Sequence, residues 1–163
     1  MNDSPSEKEV MELPPEYVVR PASADDLVGV VSLLQPYIDQ ELLLRRSEVE
    51  TAALLPTGFV AVYHAQQGEV PEIVGFCAIE IYSKKLSEIQ CLAVSDAHRS
   101  HGLGGILVGK CIDLANQRGV MEVMAISSSE DFLQRLGFDY SLPKQKRALF
   151  YQLRDRKDFD GLG

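Results

Sequence analysis

The stretch SEIQCLAVSDAHRSHGLGG, residues 87–105, decides the fold, because it passes from a strand through a glycine-rich loop into a helix. Ile89, Cys91, Leu92, Ala93 and Val94 form an apolar run of strand length, and Ser95 with Asp96 ends it with turn formers. Arg99-Ser-His-Gly-Leu-Gly follows, with the spacing R-x-x-G-x-G, and then Leu103, Leu107, Cys111 and Leu114 recur at helical spacing. Glycines let successive N–H groups point one way, and the positive end of a helix adds to their attraction for an anion. The pattern predicts a pyrophosphate cradle; the plainer reading is that Gly102, Gly104 and Gly105 only permit a tight turn onto the sheet. A Walker loop would need Lys-Ser/Thr after the last glycine, and the dinucleotide fingerprint also fails.

R-x-x-G-x-G after an LAV strand resembles the acetyl-CoA loop of the GNAT acetyltransferase superfamily. The resemblance implies that free backbone groups at Leu92, Ala93 and Val94 hold the pantetheine arm. It also implies that Arg99, Ser100, His101, Gly102, Leu103, Gly104 and Gly105 hold the pyrophosphate.

A chain of 163 residues, 45% hydrophobic and 25% charged, suits one soluble globular domain with a real core. No apolar run approaches the roughly 20 residues that span a bilayer, and MNDSPSEKEV lacks the basic start and apolar stretch of a signal peptide. The expectation is a cytoplasmic protein with no membrane partner. Cys77, Cys91 and Cys111 are odd in number and widely spaced, which argues for reduced thiols rather than a disulfide framework or a zinc site. A net charge of −8 disfavours non-specific nucleic-acid binding. That charge is uneven: Asp3, Glu7, Glu9, Glu12 and Glu16 make the start acidic, and Lys144, Lys146, Arg147, Arg154, Arg156 and Lys157 make the end basic.

In chain order, residues 1–15 read as a flexible acidic tail and 16–157 as the folded domain, with 158–163 a C-terminal tail. Tyr17–Pro21 is a strand, and Ser23 with Asp26 has the form of a helix N-cap with an acid three residues on. Leu27, Val30, Val31 and Leu34 face one side of a helix that Pro36 should kink or end, with Ile38, Leu42 and Leu43 opening a second short segment. Ser47 starts another helix that runs to about Leu55. Gly58–Ala65 and Pro71–Tyr82 read as an antiparallel pair joined by a polar turn, and Ser87–Val94 pairs next. A helix from Leu103 to about Arg118 is capped by Gly119. Further strands are expected at Met121–Ile126, from Gly137-Phe138 onward and at Ala148–Arg154, with a short helix at Phe132–Leu136. The fold class is α/β, a mixed and mostly antiparallel sheet flanked by helices, in the element order of the GNAT fold.

Four segments extend the resemblance from about Val18 to Lys157: QELLLRRS at 40–47, YSKKLSEIQCLAV at 82–94, FLQRLGF at 132–138 and LPKQKRALFYQLRDRK at 142–157. In that order they resemble the acetyltransferase domain of N-acetylglutamate synthase. That family makes N-acetylglutamate from acetyl-CoA and glutamate, the first step of arginine synthesis, and commonly joins this domain to an amino-acid-kinase-like one that is absent from this sequence. The resemblance therefore implies acetyl-CoA as co-substrate, a small amino-acid acceptor and no metal; a homodimer stays open.

Acetyl transfer needs a neutral amine, donors for the tetrahedral oxyanion and a proton for the departing thiolate. Glu88, two residues before Gln90 on the central strand, is the candidate base, and the family has its base at the matching position. The alternative is a strand carboxylate held in an ion pair. Strict alternation would put Glu88, Gln90, Leu92 and Val94 on one face, unless the bulge that the GNAT fold has here re-phases them. Cys91 matches a family cysteine and could donate its backbone N–H to the acetyl oxygen, its side chain being a small buried hydrophobe. A Cys91 dyad with His98 or His101 would require a loop histidine to fold back. His101 stands where many family members have a basic residue or Gln, facing phosphate or solvent. Leu133 stands where many have Tyr as the acid for the thiolate, leaving Ser127, Ser128 or a water. By resemblance, Arg45, Lys85 and Arg154 hold the glutamate carboxylates, with Arg46, Lys84 and Arg156 as adjacent rivals and Lys146 a fourth candidate. Other readings are acetylation of another small amine or a protein N-terminus, and a non-catalytic acyl-CoA-binding module.

Overall fold

Runs of β-branched and aromatic residues in period two build a sheet whose two faces take different helices. The computed structural model describes residues 13–65, 69–127 and 129–140. Within it β1 (Tyr17–Pro21), β2 (Gly58–Tyr63), β3 (Glu72–Ile81), β4 (Leu86–Val94) and β5 (Glu122–Met124) lie side by side in chain order. The first four strands are antiparallel, and β5 runs parallel to β4. The helices are α1 (Leu27–Asp39), α2 (Glu48–Leu54), α3 (Leu103–Gln117) and α4 (Glu130–Arg135). Two compact units emerge, residues 1–126 with the sheet and α1–α3, and residues 127–163, of which α4 is the described element.

On one face of the sheet Val30, Leu33 and Leu34 of α1 and Leu54 of α2 pack with Val60, Val62, Phe76, Ala78 and Ala93. The opposite face receives α3 through Leu103, Leu107, Val108, Cys111 and Ala115, all buried. A Cβ on Gly75 would sit 3.0 Å from both Ala61 Cβ and Leu107 Cδ1, so the glycine lets α3 approach the sheet at that point. Deeper in the same layer the thiols of Cys77 and Cys111 share a hydrogen bond, with the two Sγ atoms 3.6 Å apart. That bond, and then burial, push the Cys77 thiol well above its usual range. All three cysteines are free.

The expected helix starts are met. Ser23 N–H donates to Asp26 Oδ2 at 2.7 Å before α1, and Ser47 N–H donates to Glu50 Oε2 at 2.7 Å before α2. Gly119 follows α3 at φ +68°, its N–H on the Asn116 carbonyl at 2.9 Å. Pro36 does not end α1, since the helix runs through it to Asp39. Tyr37 and Ile38 pack on the core just beyond it, and the Tyr37 carbonyl takes the N–H groups of Leu42 and Leu43 at 2.9 and 3.2 Å. These contacts hold the last turn despite the lost helical bond. β5 is shorter than Met121–Ile126 because it pairs with β4 only over Leu86–Glu88. The short helix starts at Glu130 rather than Phe132, since Ser129 accepts the Leu133 N–H at 3.2 Å. Phe138–Tyr140 form no strand. The rest of that strand, the one at Ala148–Arg154, residues 1–12 and the C-terminal tail lie outside the described residues.

Asp26 anchors the entry to α1. It is 6% exposed and accepts both Nη groups of Arg20 at 2.7 and 2.8 Å. The Arg20 guanidinium, aided by the Ser23 N–H and outweighing the effect of burial, draws its pKa down to about 2. A depressed carboxylate stabilises the fold fully above its unfolded pKa, and loses that contribution as pH falls through the folded one. Urea titrations should therefore show about 2 kcal/mol of stability disappearing between about pH 4 and 2. Asp26→Asn should remove the same amount at pH 7 and flatten that acid limb.

Candidate functional site

The geometry of the site starts from a bulge. Phe76 pairs with Ala93 and Ala78 with Gln90, so Cys77 alone stands opposite both Cys91 and Leu92. Cys91 absorbs the extra residue at φ +54°, in the left-handed region that a side chain adopts at a cost. The alternation is re-phased in consequence: Glu88 and Gln90 share a face with Glu80 and Ala78, and Ala93 rejoins that face with Phe76. Beyond Glu88 the strand has no partner on the β5 side among the described residues, so its edge from Ile89 to Val94 opens away from the short β5. Leu92, Ala93 and Val94 lie on that stretch.

Past Val94 the chain is tied back before it reaches α3. Ser95 N–H donates to the Val74 carbonyl at 2.8 Å, and the Tyr37 hydroxyl donates to the Val94 carbonyl at 2.7 Å. Ser100 and Gly102 then both adopt φ +73°, and the first helical bond of α3 runs from Ile106 N–H to the Gly102 carbonyl at 3.1 Å. The N–H groups of Leu103, Gly104 and Gly105 precede that bond, as in the first turn of any helix, and follow left-handed residues that turn amides to one side. Helix starts of this kind are a general form of anion-binding site. Arg99 is turned back, its Nη2 2.8 Å from Asp96 Oδ1. His101 stacks on Tyr17 with ring centroids 4.9 Å apart, and His98 Nδ1 lies 2.9 Å from the Tyr17 hydroxyl. With Tyr63, whose ring lies 4.7 Å from that of His98, these rings fix the flank of the loop to β1 and β2. Neither histidine is a partner of Cys91, which removes the dyad. Burial pushes the Cys91 thiol up, offset in part by Arg46, so the thiol keeps its proton.

On the other side of the bulge stands a polar cluster that the residue-by-residue reading of the sequence missed. Glu88 lies directly opposite Glu80, and the Tyr82 hydroxyl donates to Glu88 Oε2 at 2.5 Å. Gln90 Nε2 reaches Glu80 Oε2 at 3.3 Å and the Tyr82 hydroxyl at 3.4 Å, while Arg46 Nη2 donates to Gln90 Oε1 at 2.5 Å. Burial of the hydroxyl end, although half of the residue is exposed, and then donation to Glu88 push Tyr82 up to about 12, so it stays protonated. The spacing Glu80-x-Tyr82 against Glu88-x-Gln90 across a hairpin was the signal for this face. Arg46 and Lys84, the adjacent rivals, line a cleft of about 740 Å³ with Glu80. Arg45 and Lys85 are exposed beside them, and Arg154, Lys146 and Ser128 lie outside the described residues. Leu133 and Ser127 belong to the second unit.

Among the described residues no helix is long and apolar enough to cross a membrane, and no group of three or more His, Cys, Asp or Glu side chains is placed to hold a metal. Residues 27–138 match the acetyltransferase (GNAT) family. An uncharacterized N-acetyltransferase of Chlorobaculum tepidum is 32% identical over 120 residues, 74% of each chain. Mycobacterium tuberculosis Rv2747, solved in complex with CoA and NLQ, superposes with a TM-score of 0.67 at 25% identity, over 80% of this chain and 76% of that one. N-acetylglutamate synthase from Neisseria gonorrhoeae, complexed with coenzyme A and N-acetyl-glutamate, gives 0.63 at 26% identity, over 73% of this chain and 27% of that one. The chain also matches amino-acid acetyltransferases, such as that of Photorhabdus laumondii, and spans about a third of their length.

Tyr37→Phe removes the bond that holds the end of β4. A loss of about 1 kcal/mol in urea unfolding is expected. Amide exchange should quicken at Val94–Asp96 before it does elsewhere in the sheet.

Proposed function

The chain belongs to the acetyltransferase (GNAT) family, and from that premise we propose that it moves acetyl from acetyl-CoA to the α-amine of an amino acid, with L-glutamate the leading acceptor. The observation that carries this reading is the bulged β4, whose open edge runs into the left-handed loop at Ser100 and Gly102. The edge from Leu92 to Val94 suits the amide-bearing pantetheine arm, and the amides from Arg99 to Gly105 suit the pyrophosphate. The thioester then lies beside Cys91, with Glu88 on the acceptor side. In the transfer the amine nitrogen attacks the thioester carbonyl, and Glu88 takes the amine proton, directly or through a water. The N–C bond forms, the oxyanion faces the Cys91 N–H, and the C–S electron pair leaves on the thiolate. Leu133 offers no proton, and a thiol pKa of roughly 8.5 to 10 makes unassisted departure feasible.

The relatives support an amino-acid acceptor. We assign the glutamate carboxylates to Arg45, between α1 and α2, to Lys85, in the β3–β4 turn, and to Arg154, with Arg46 and Lys84 as adjacent rivals. A small cationic amine is the second reading, favoured by Glu80 directly opposite Glu88.

Thiol release on mixing the protein, acetyl-CoA and L-glutamate tests the proposal. Glu88→Gln should lower that rate by about 10²-fold with the acetyl-CoA Kd unchanged, and the loss should shrink at higher pH, where more amine is already neutral. Release with a cationic amine and none with glutamate would move the acceptor to the second reading. Binding of acetyl-CoA with no release for any amine would leave a binding module.

A further inference from the structure

The side chains around Glu88 can be oriented in only one sense. Arg46 is donor-only, so the Gln90 oxygen must face it at 2.5 Å. The Gln90 NH₂ is then turned towards Tyr82 and Glu80, at 3.4 and 3.3 Å. The Tyr82 oxygen accepts from that amide, and its single proton goes to a carboxylate. Glu88 Oε2 is 2.5 Å away and Glu80 Oε2 is 3.4 Å away, so Glu88 receives it. The bonds thus run from Arg46 to Gln90 to Tyr82 to Glu88, with Glu80 taking a branch from the Gln90 amide, and bonds aligned in this way polarise one another.

We propose that Tyr82 is a positioning residue for acetyl transfer: its hydroxyl engages one oxygen of Glu88 and leaves the other turned to the acceptor amine. This rests on the reading of Glu88 as the base. The phenol holds its proton throughout the neutral range, being pushed up to about 12, so the donation is constant wherever the base works. Without it, Glu88 faces the like charge of Glu80 directly across the strand pair, and repulsion turns the carboxylate away. Tyr82 is 51% exposed, so losing its hydroxyl leaves the core untouched.

The test is a double-mutant cycle of Tyr82→Phe and Glu88→Gln on the full chain, read by steady-state kinetics with the amine that turns over fastest. Tyr82→Phe should lower kcat about ten-fold while both KM values and the melting temperature hold. In the Glu88→Gln background it should cost less than two-fold, because the group that it positions is gone. A slow Glu88→Gln enzyme with a Tyr82→Phe rate within two-fold of native overturns the inference alone. A ten-fold loss that persists in the Glu88→Gln background, or one that falls on KM for the amine, overturns it as well. A Glu88→Gln enzyme as fast as native overturns the reading of the base, and this inference with it.

Discussion

The two-against-one pairing of Cys91 and Leu92 with Cys77 is the constraint from which the rest of the site follows. A regular strand would carry its alternation straight through, leaving Ala93 on the α3 side. The bulge instead splits β4 into two segments. The first, with Glu88 and Gln90, shares a polar cluster with β3; the second has an open edge and leads into the loop. A left-handed cysteine is strained by about 1–3 kcal/mol, and such strain persists only where the surroundings over-determine it. Here the surroundings are the buried Phe76–Ala93 pairing on one side and the Cys77–Cys111 contact beneath.

The loop is held by different means from those that shape it. Its left-handed residues, Ser100 and Gly102, set the direction of the amides. Its position comes from outside: Tyr37 of α1 bonds the end of β4, and Tyr17 of β1 and Tyr63 of β2 pack on His98 and His101. A cradle whose amides are fixed before an anion arrives loses little conformational freedom on binding it. The histidine rings are thus committed to the protein, and under the proposed function it is the loop's backbone that meets the anion.

What was legible in the sequence was local. Strand, loop and α3 could be read because turn formers, glycine spacing and the repeat of Leu103, Leu107 and Cys111 act over a few residues. The caps at Ser23, Ser47 and Gly119 were legible for the same reason. α1 runs through Pro36 because of Tyr37 and Ile38, and tertiary packing of that kind leaves no mark in local pattern. The polar cluster needed the cross-strand register that sets Glu80 opposite Glu88, which the hairpin fixes and spacing alone does not. Arg46 rather than Arg45 meets Gln90 because of the backbone path between α1 and α2, where no periodicity says which of two adjacent arginines points inward.

The central claim is that acetyl-CoA lies along the open edge of β4 with its pyrophosphate on the loop. Titrating ¹⁵N-labelled protein with acetyl-CoA and following backbone amide shifts tests it most directly. The account predicts that the largest changes fall at residues 91–94 and 99–105, and that they saturate together with a single Kd. Saturable binding that leaves those amides unmoved while others shift would contradict it.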